Sequence, residues 1–200
     1  MTPSTHPQPS IHRQIDDTIA TLRALADHAA AIEAIAERIV TCLAGHGTLY
    51  LCGNGGSAAD AEHVAAEFVG RFLMERRPLP AVALTCNGPL LTAIGNDYDY
   101  ADVFARQVRA HATPRDCVIG ISTSGRSPNV LKALADGRAA GATTIGMTGA
   151  GGTHLAALCD ACLLVPATHT PRIQEGQLVA WHLICDLVDR TMFPDAATAP

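Results

Sequence analysis

The sequence predicts an α/β fold, a doubly wound parallel sheet of five strands flanked by helices and preceded by an N-terminal helical segment. Short apolar runs alternate with helical stretches along the chain, and each run is continuous, as strands covered on both faces require. The 200 residues are 48% hydrophobic and only 16% charged, which is typical of a folded chain with buried elements. This length favours one domain with a core that needs no disulfide or metal to hold it.

The strands and helices follow one another in regular alternation. The strands are predicted at 48–52, 81–85, 117–122, 143–148 and 162–166. The helices are predicted at about 57–71, 100–112, 127–140 and 172–192. In a sheet of this kind, ligands bind where loops leave the carboxyl ends of the strands.

A helical segment at 11–45 precedes the first strand. Its apolar residues recur every three or four positions from Ile15 to Leu43, which is typical of a helical hairpin or one long bent helix. This stripe either covers the sheet or forms a subunit interface. The polar ends 1–10 and 194–200 are predicted to be disordered tails, so the single domain occupies 11–193.

Composition narrows the function classes. The net charge is −5 and the 14 basic residues are scattered, which argues against a nucleic-acid-binding surface. No long apolar stretch predicts a membrane span or a signal peptide, so we expect a cytoplasmic protein. The seven cysteines fit reduced core thiols, and the isolated C-x-x-C pair Cys159 and Cys162 is more typical of a strand-edge core pair than of a zinc site.

The first glycine-rich loop, "GNGGS", follows the first strand and leads directly into a helix. Its glycines and the free N–H groups of the helix start suit an anion or a polyol. Gly53, Gly55 and Ala58 also match a dinucleotide-binding turn, but the next strand ends "LTCNGP" and lacks the acid that would hold the ribose. A nucleotide cofactor is therefore the weaker interpretation, and a turn without any ligand is a serious competitor.

The second loop, "GISTSGRSPNV", carries four hydroxyls around one glycine turn at the start of a helix. Ser127 is placed to cap that helix and Pro128 to be its first residue. A cap needs only one hydroxyl, whereas a phosphate accepts several hydrogen bonds. The loop therefore predicts a phosphate site, formed by Ser122, Thr123, Ser124 and Ser127.

Two pairs of polar residues have helical spacing. His63 and Glu67 are four residues apart, and Gln174 and His182 are eight apart on the last helix, so each pair shares a helix face. The apolar neighbours of Glu67 suit it to proton abstraction. The same four side chains could instead hold Zn²⁺, with conditional occupancy because a glutamine oxygen is a weak zinc ligand.

Asp97 and Arg71 have two interpretations each. Asp97 either binds sugar hydroxyls or caps a turn, and these two roles are about equally good. Arg71 either neutralises substrate charge or extends into water.

Taken together, these segments resemble the sugar isomerase (SIS) domain family, over about residues 11–193. The likeness rests on "CGNGGSAADAEHVAAEFVGRF", "LTAIGNDYDYADVFARQV", "GISTSGRSPNVLKAL" and "TPRIQEGQLVAWHLICDLV". It is greatest for the branch that isomerises seven-carbon sugar phosphates, whereas the S-T-S-G segment alone would mark only the wider family.

The resemblance implies an aldose–ketose isomerase that converts sedoheptulose 7-phosphate to D-glycero-D-manno-heptose 7-phosphate, in a homotetramer with active sites between subunits. It implies Glu67 and His182 as the acid–base pair. The implied substrate contacts are Asn54, Gly55, Gly56, Ser57, Arg71, Asn96, Asp97, Ser122, Thr123, Ser124, Ser127 and Gln174. The implied zinc ligands are His63, Glu67, Gln174 and His182.

One residue departs from the family pattern, and one rival function is open. Pro171 stands where some members carry an acid, so the contribution of that edge of the pocket is open. The rival is a non-catalytic member of the same family that binds a phosphosugar or a replication initiator protein. The joint presence of Glu67 and His182 favours the enzyme, because a sensor would not need both.

Overall fold

The computed structural model describes residues 10–196. Its sheet has five parallel strands in the order β2-β1-β3-β4-β5, as the sequence predicts in number and direction. The strands are β1 (Leu49–Gly53), β2 (Ala81–Ala83), β3 (Cys117–Ser122), β4 (Thr143–Gly149) and β5 (Ala161–Val165). The α-helices are α1 (Ile11–Leu25), α2 (Ala29–Ala44), α3 (Gly56–Val69), α4 (Gly88–Asp97), α5 (Ala105–His111), α6 (Pro128–Ala139), α7 (Thr153–Ala156) and α8 (Thr170–Met192).

Helices cover both faces of the sheet, and each face has its own hydrophobic core. The larger core joins α2, α3 and α8 to alternate strand residues such as Leu51 and Ile119. The smaller core joins α4, α5 and α6 to the opposite strand face, for example at Val118. Since both faces of the sheet are buried, neither face of a strand needs polar residues, which explains the continuous apolar runs.

The strand order positions the site. The chain leaves β1 towards one side of the sheet and β3 towards the other, so a crevice opens between the carboxyl ends of these neighbouring strands. Both loops singled out from the sequence, 53–56 after β1 and 122–127 after β3, lie at this crevice. Two segments about seventy residues apart are thus adjacent because of topology alone.

The N-terminal segment is a bent helix, not a hairpin. A 3₁₀ turn at Ala26–His28 separates α1 from α2, and both helices pack on α8. The α2 helix also covers β5, whereas α1 leaves Ile11, Ile15 and Ile19 exposed on one face.

Apart from shifts of one or two residues at element ends, the structure differs from the predicted elements at three places. It adds α4, which the sequence reasoning missed because "GPLLTAIGND" begins with Gly and Pro; Asn87 caps it through a bond from Leu90 N–H. It replaces the predicted helix 100–112 by a 3₁₀ turn at Tyr100–Asp102 and the shorter α5. It also adds the four-residue α7, which is too short to show a helical period.

The chain ends lie mostly outside the described residues. Of the predicted tails, residues 1–9 and 197–200 are not described. Ser10 accepts a hydrogen bond from Arg13 N–H at 3.2 Å and caps α1. Among residues 10–196, no helix combines the length and hydrophobicity needed to cross a membrane.

Candidate active site

The glycine loop is a tight turn from β1 into α3. Gly55 has φ of 58°, a conformation that favours glycine. It is the N-cap of α3, and no side chain among residues 10–196 caps the first N–H groups of this helix. A side chain at Gly56 would collide with the Gln174 amide, so the end of this loop lies directly against α8. Ser57 is buried, and Asn54 is half-buried at the crevice. Gln174 of α8 therefore lies beside the glycine loop.

The hydroxyl loop turns at Gly125, whose φ is 64° and whose Cα hydrogen faces the backbone of Gly152. Ser127 and Pro128 occupy the predicted cap and first-residue positions of α6, but the Ser127 hydroxyl makes no capping bond. It instead lies 2.9 Å from the Ser122 hydroxyl. The cap hydroxyl is thus paired with Ser122, and the N–H groups at the start of α6 donate no bond to it, so it does not compete with an anion for them.

A pair of amides joins the two loops. Asn54 Nδ2 donates to Asn129 Oδ1 at 2.9 Å, and Asn129 Nδ2 donates to Asn54 Oδ1 at 2.7 Å. The Tyr100 hydroxyl donates to the same Asn54 oxygen at 3.3 Å. The sequence reasoning missed Asn129 and Tyr100. Asn129 lies in the first turn of α6 and is buried, which the sequence alone does not show.

The predicted acid–base residues, Glu67 on α3 and His182 on α8, both contact His63. His63 Nε2 lies 3.1 Å from His182 Nε2 and 3.4 Å from Glu67 Oε1. The Phe72 ring stacks on His182, with ring centroids 5.5 Å apart. The Glu67 side chain is 22% exposed, so it is largely desolvated yet open to a ligand. This arrangement can accept and pass on a proton.

The buried Cys185 marks the environment of Glu67 on α8. Burial raises the pKa of this thiol to about 12, and the negative charge of Glu67 contributes to the rise. Cys185 lies on α8, three residues after His182.

Three of the four predicted metal ligands are neighbours. The distances from His63 to His182 and to Glu67 match the edge of a zinc tetrahedron, about 3.3 Å for bonds of 2.0–2.1 Å. Gln174 lies apart, since it contacts Gly56 and is eight residues, about 12 Å, from His182 along α8. Within the described 10–196, no three His, Cys, Asp or Glu side chains are arranged to hold a metal as they stand.

The remaining predicted substrate contacts, Asn96, Asp97 and Arg71, belong to other segments of the chain. Asn96 and Asp97 are exposed at the end of α4, where the Asn96 amide donates to the Asp97 carboxylate at 2.8 Å. Arg71 lies beyond α3, which ends at Val69, not at the predicted 71. Its nearest charge is Glu75 at 3.7 Å. Within one chain, these three side chains make no hydrogen bond to the loops in the part the structure describes.

Comparison with known proteins identifies the family of this chain. Residues 14–149 match the model of the SIS domain family. The chain is 53% identical over 174 residues to the phosphoheptose isomerase of Solidesulfovibrio magneticus, an alignment that covers 87% of this chain and 85% of the relative. This chain belongs to the phosphoheptose isomerase family of SIS-domain proteins.

Other members of the phosphoheptose isomerase family agree in sequence and in structure. The enzyme of Trichlorobacter lovleyi is 47% identical over 187 residues, which cover 93% of this chain and 95% of the relative. The solved phosphoheptose isomerase structure from Neisseria gonorrhoeae superposes with a TM-score of 0.85 at 39% identity, covering 90% of this chain and 96% of that one. The predicted fold is therefore confirmed.

Proposed function

We propose that this chain is an aldose–ketose isomerase that converts sedoheptulose 7-phosphate to D-glycero-D-manno-heptose 7-phosphate through an enediol. The observation that carries the proposal is the contact of His63 with both Glu67 and His182, in a member of the phosphoheptose isomerase family. We also propose a cytoplasmic location, where its seven free thiols would stay reduced.

The reaction moves a carbonyl from C2 to C1. Glu67 takes the proton from C1, which forms a cis-enediol, and the same carboxyl group returns a proton to C2. His182 moves a proton between the two oxygens and can assist ring opening. Because the Nε2 atoms of His182 and His63 are 3.1 Å apart, one of them carries the proton between the rings, so His63 can set the tautomer of His182.

The hydroxyl loop supplies binding energy at the other end of the substrate. Ser122, Thr123, Ser124 and Ser127, with the N–H groups at the start of α6, would hold the phosphate. This contribution orients the ligand and is separate from proton transfer.

The two halves of the site lie at opposite ends of α3, which favours active sites shared between subunits. Glu67 is eleven residues beyond Gly56, about 16 Å along the helix axis at 1.5 Å per residue. This separation exceeds the length of an extended heptose phosphate. We therefore propose a homotetramer in which one subunit holds the phosphate and another supplies Glu67 and His182. Asn96 and Asp97 would then reach sugar hydroxyls from a neighbouring copy.

Exposed apolar residues around the acid–base pair support this assembly. Val69, Leu73 and Leu183 are 47%, 69% and 47% exposed, and each is one or two residues from Glu67, Phe72 or His182. Light scattering of the purified chain should give a tetramer mass. The Leu183→Glu variant should give smaller species with reduced turnover; an active wild-type monomer would contradict shared sites.

Zinc is a proposal at the acid–base pair. His63, Glu67 and His182 would hold it, with Gln174 completing the set only if its side chain moved from Gly56. Bound zinc would act as a Lewis acid on a substrate oxygen. Metal analysis of the purified protein, with His63→Ala as the control, should find zinc only in the wild type; equal contents would reject this site.

Incubation with sedoheptulose 7-phosphate, followed by NMR, tests the function. We expect loss of the ketose signals and growth of aldoheptose signals. A folded tetramer that binds the ketose phosphate without turning it over would overturn the proposal and favour a sensor.

A further inference from the structure

Arg76 is a buried arginine in the segment between α3 and β2, and its side chain is 1% exposed. Nη2 donates to the carbonyl of Glu67 at 2.9 Å. Nη1 donates to the carbonyl of Phe68 at 2.9 Å and is also within 3.4 Å of Gly70 O and 3.1 Å of Arg77 O. The planar guanidinium thus holds the end of α3 at several points.

These contacts are made where a helix is least constrained. The last four carbonyls of α3 have no partner within the helix, so the final turn depends on other donors. A cation at this end also complements the helix dipole. Glu67 belongs to this final turn, and the carbonyl that receives Nη2 is its own.

Arg76 also reaches the other catalytic helix. Its Nε donates to Asp189 Oδ1 at 2.7 Å, and the Asp189 side chain is only 2% exposed. Asp189 lies seven residues, two turns, after His182 on α8. Cys185 lies between them on the same face. The charges of Glu67 and Asp189 raise the pKa of its thiol, and the charge of Arg76 lowers it. The Arg76 guanidinium therefore links the last turn of α3, which carries Glu67, to α8, which carries His182.

We propose that Arg76 is a positioning residue for the acid–base pair: with Asp189 it fixes the Glu67 turn relative to His182. The inference rests on the proposed function. Since proton transfer requires heavy atoms within hydrogen-bond reach, a small shift of this turn lowers turnover. The hydroxyl loop, at the far end of α3, is unaffected, so substrate binding is largely retained.

Stability and positioning can be separated by two variants. Arg76→Met alone strands the buried Asp189 carboxylate, so we expect a destabilised or unfolded chain. Arg76→Met combined with Asp189→Leu removes both charges, and buried ion pairs replaced in this way often keep their stability. Arg190→Met, which breaks only the surface pair with Asp186, is the matched control.

The test is kcat and KM on sedoheptulose 7-phosphate, beside thermal unfolding. We expect the double variant to unfold within a few degrees of the wild type, with kcat lowered about 10–10²-fold and KM changed less than about 3-fold. The control should match the wild type. A stable double variant with normal kcat would overturn the proposal, because Arg76 would then be structural only. If the double variant does not fold, Arg76→Lys takes its place with the same criterion.

Amide hydrogen exchange at residues 66–70 separates this inference from the proposed function. The double variant should exchange faster there, even if the wild type has no turnover. An inactive wild type would reject the proposed function, whereas unchanged exchange would reject the role of Arg76.

Discussion

The two ends of α3 are built in different ways. At its start, the glycine loop meets the hydroxyl loop, and both are short turns whose residues are contiguous in sequence. At its end, His63 and Glu67 meet His182, which is 119 residues from His63, through the packing of α3 on α8. We propose that two local turns, joined through Asn54 and Asn129, bind the substrate, and that a long-range contact between two helices transfers the proton.

The largest effect is expected at the packed end of α3. Glu67→Gln keeps the shape of the side chain but removes the base, so kcat should fall by about 10²–10⁴-fold with little change in KM. Steady-state kinetics by NMR measures both values. Glu62→Gln, an exposed position on the same helix, is the control and should behave like the wild type. Normal turnover in the Glu67 variant would show that Glu67 is not the catalytic base.

At the loop end, a smaller effect is expected, and it should fall mainly on KM and not on kcat. Ser124→Ala removes one hydroxyl that would bind the phosphate dianion, a bond of about 1.5–3 kcal/mol, so KM should rise about 10–10²-fold. The fall in kcat should be less. Kinetics over a wide range of substrate concentration separates the two constants, with Thr191→Ala as the control. A selective loss of kcat would show that substrate binding and proton transfer are not separated between the two ends of α3.

The amide pair between the loops should affect stability and binding together. Asn129→Leu leaves the Asn54 amide without its partner, so unfolding free energy should fall by about 1–3 kcal/mol and KM should rise. Urea unfolding and kinetics measure these changes. Unaltered KM in a destabilised variant would mean that the pair supports the fold without ordering the site.

At Cys52, the last residue before Gly53 of the glycine loop, the expected effect is on stability alone and only at alkaline pH. Burial raises the pKa of this thiol to about 12 in the folded chain. In the unfolded chain the thiol loses its proton near its ordinary pKa, about 8.5, so stability falls as pH rises from there towards 12. The slope is at most about 1.4 kcal/mol per pH unit. Cys52→Ala should show a shallower loss between pH 9 and 11 in urea unfolding; equal slopes would contradict this assignment.

This comparison also explains what the sequence could predict. The five parallel strands and the hydroxyl loop follow from local signals: apolar runs, glycines and clustered hydroxyls. Helical spacing indicated which face His63 and Glu67 share, but not that Gln174 would lie at the opposite end of the α3–α8 contact from His182.

Other residues could not be found because their importance depends on tertiary contacts. In the sequence, Arg76 is one of two adjacent arginines in "ERRP", and only its burial beside Asp189 shows that it joins α3 to α8. Asn129 reads as a helix-start residue until the crevice between β1 and β3 places it against Asn54. Burial and long-range pairing are properties of the fold, and no local pattern contains them.

Reassembly of mixed chains tests the central claim most directly. Glu67→Gln keeps a working loop end, and Ser124→Ala combined with Thr123→Ala keeps a working acid–base end. After joint unfolding and refolding, tetramers that contain both chains should regain turnover of sedoheptulose 7-phosphate well above the sum of the separately refolded variants. Turnover no greater than that sum, in tetramers shown by native mass spectrometry to be mixed, would contradict an active site shared between subunits.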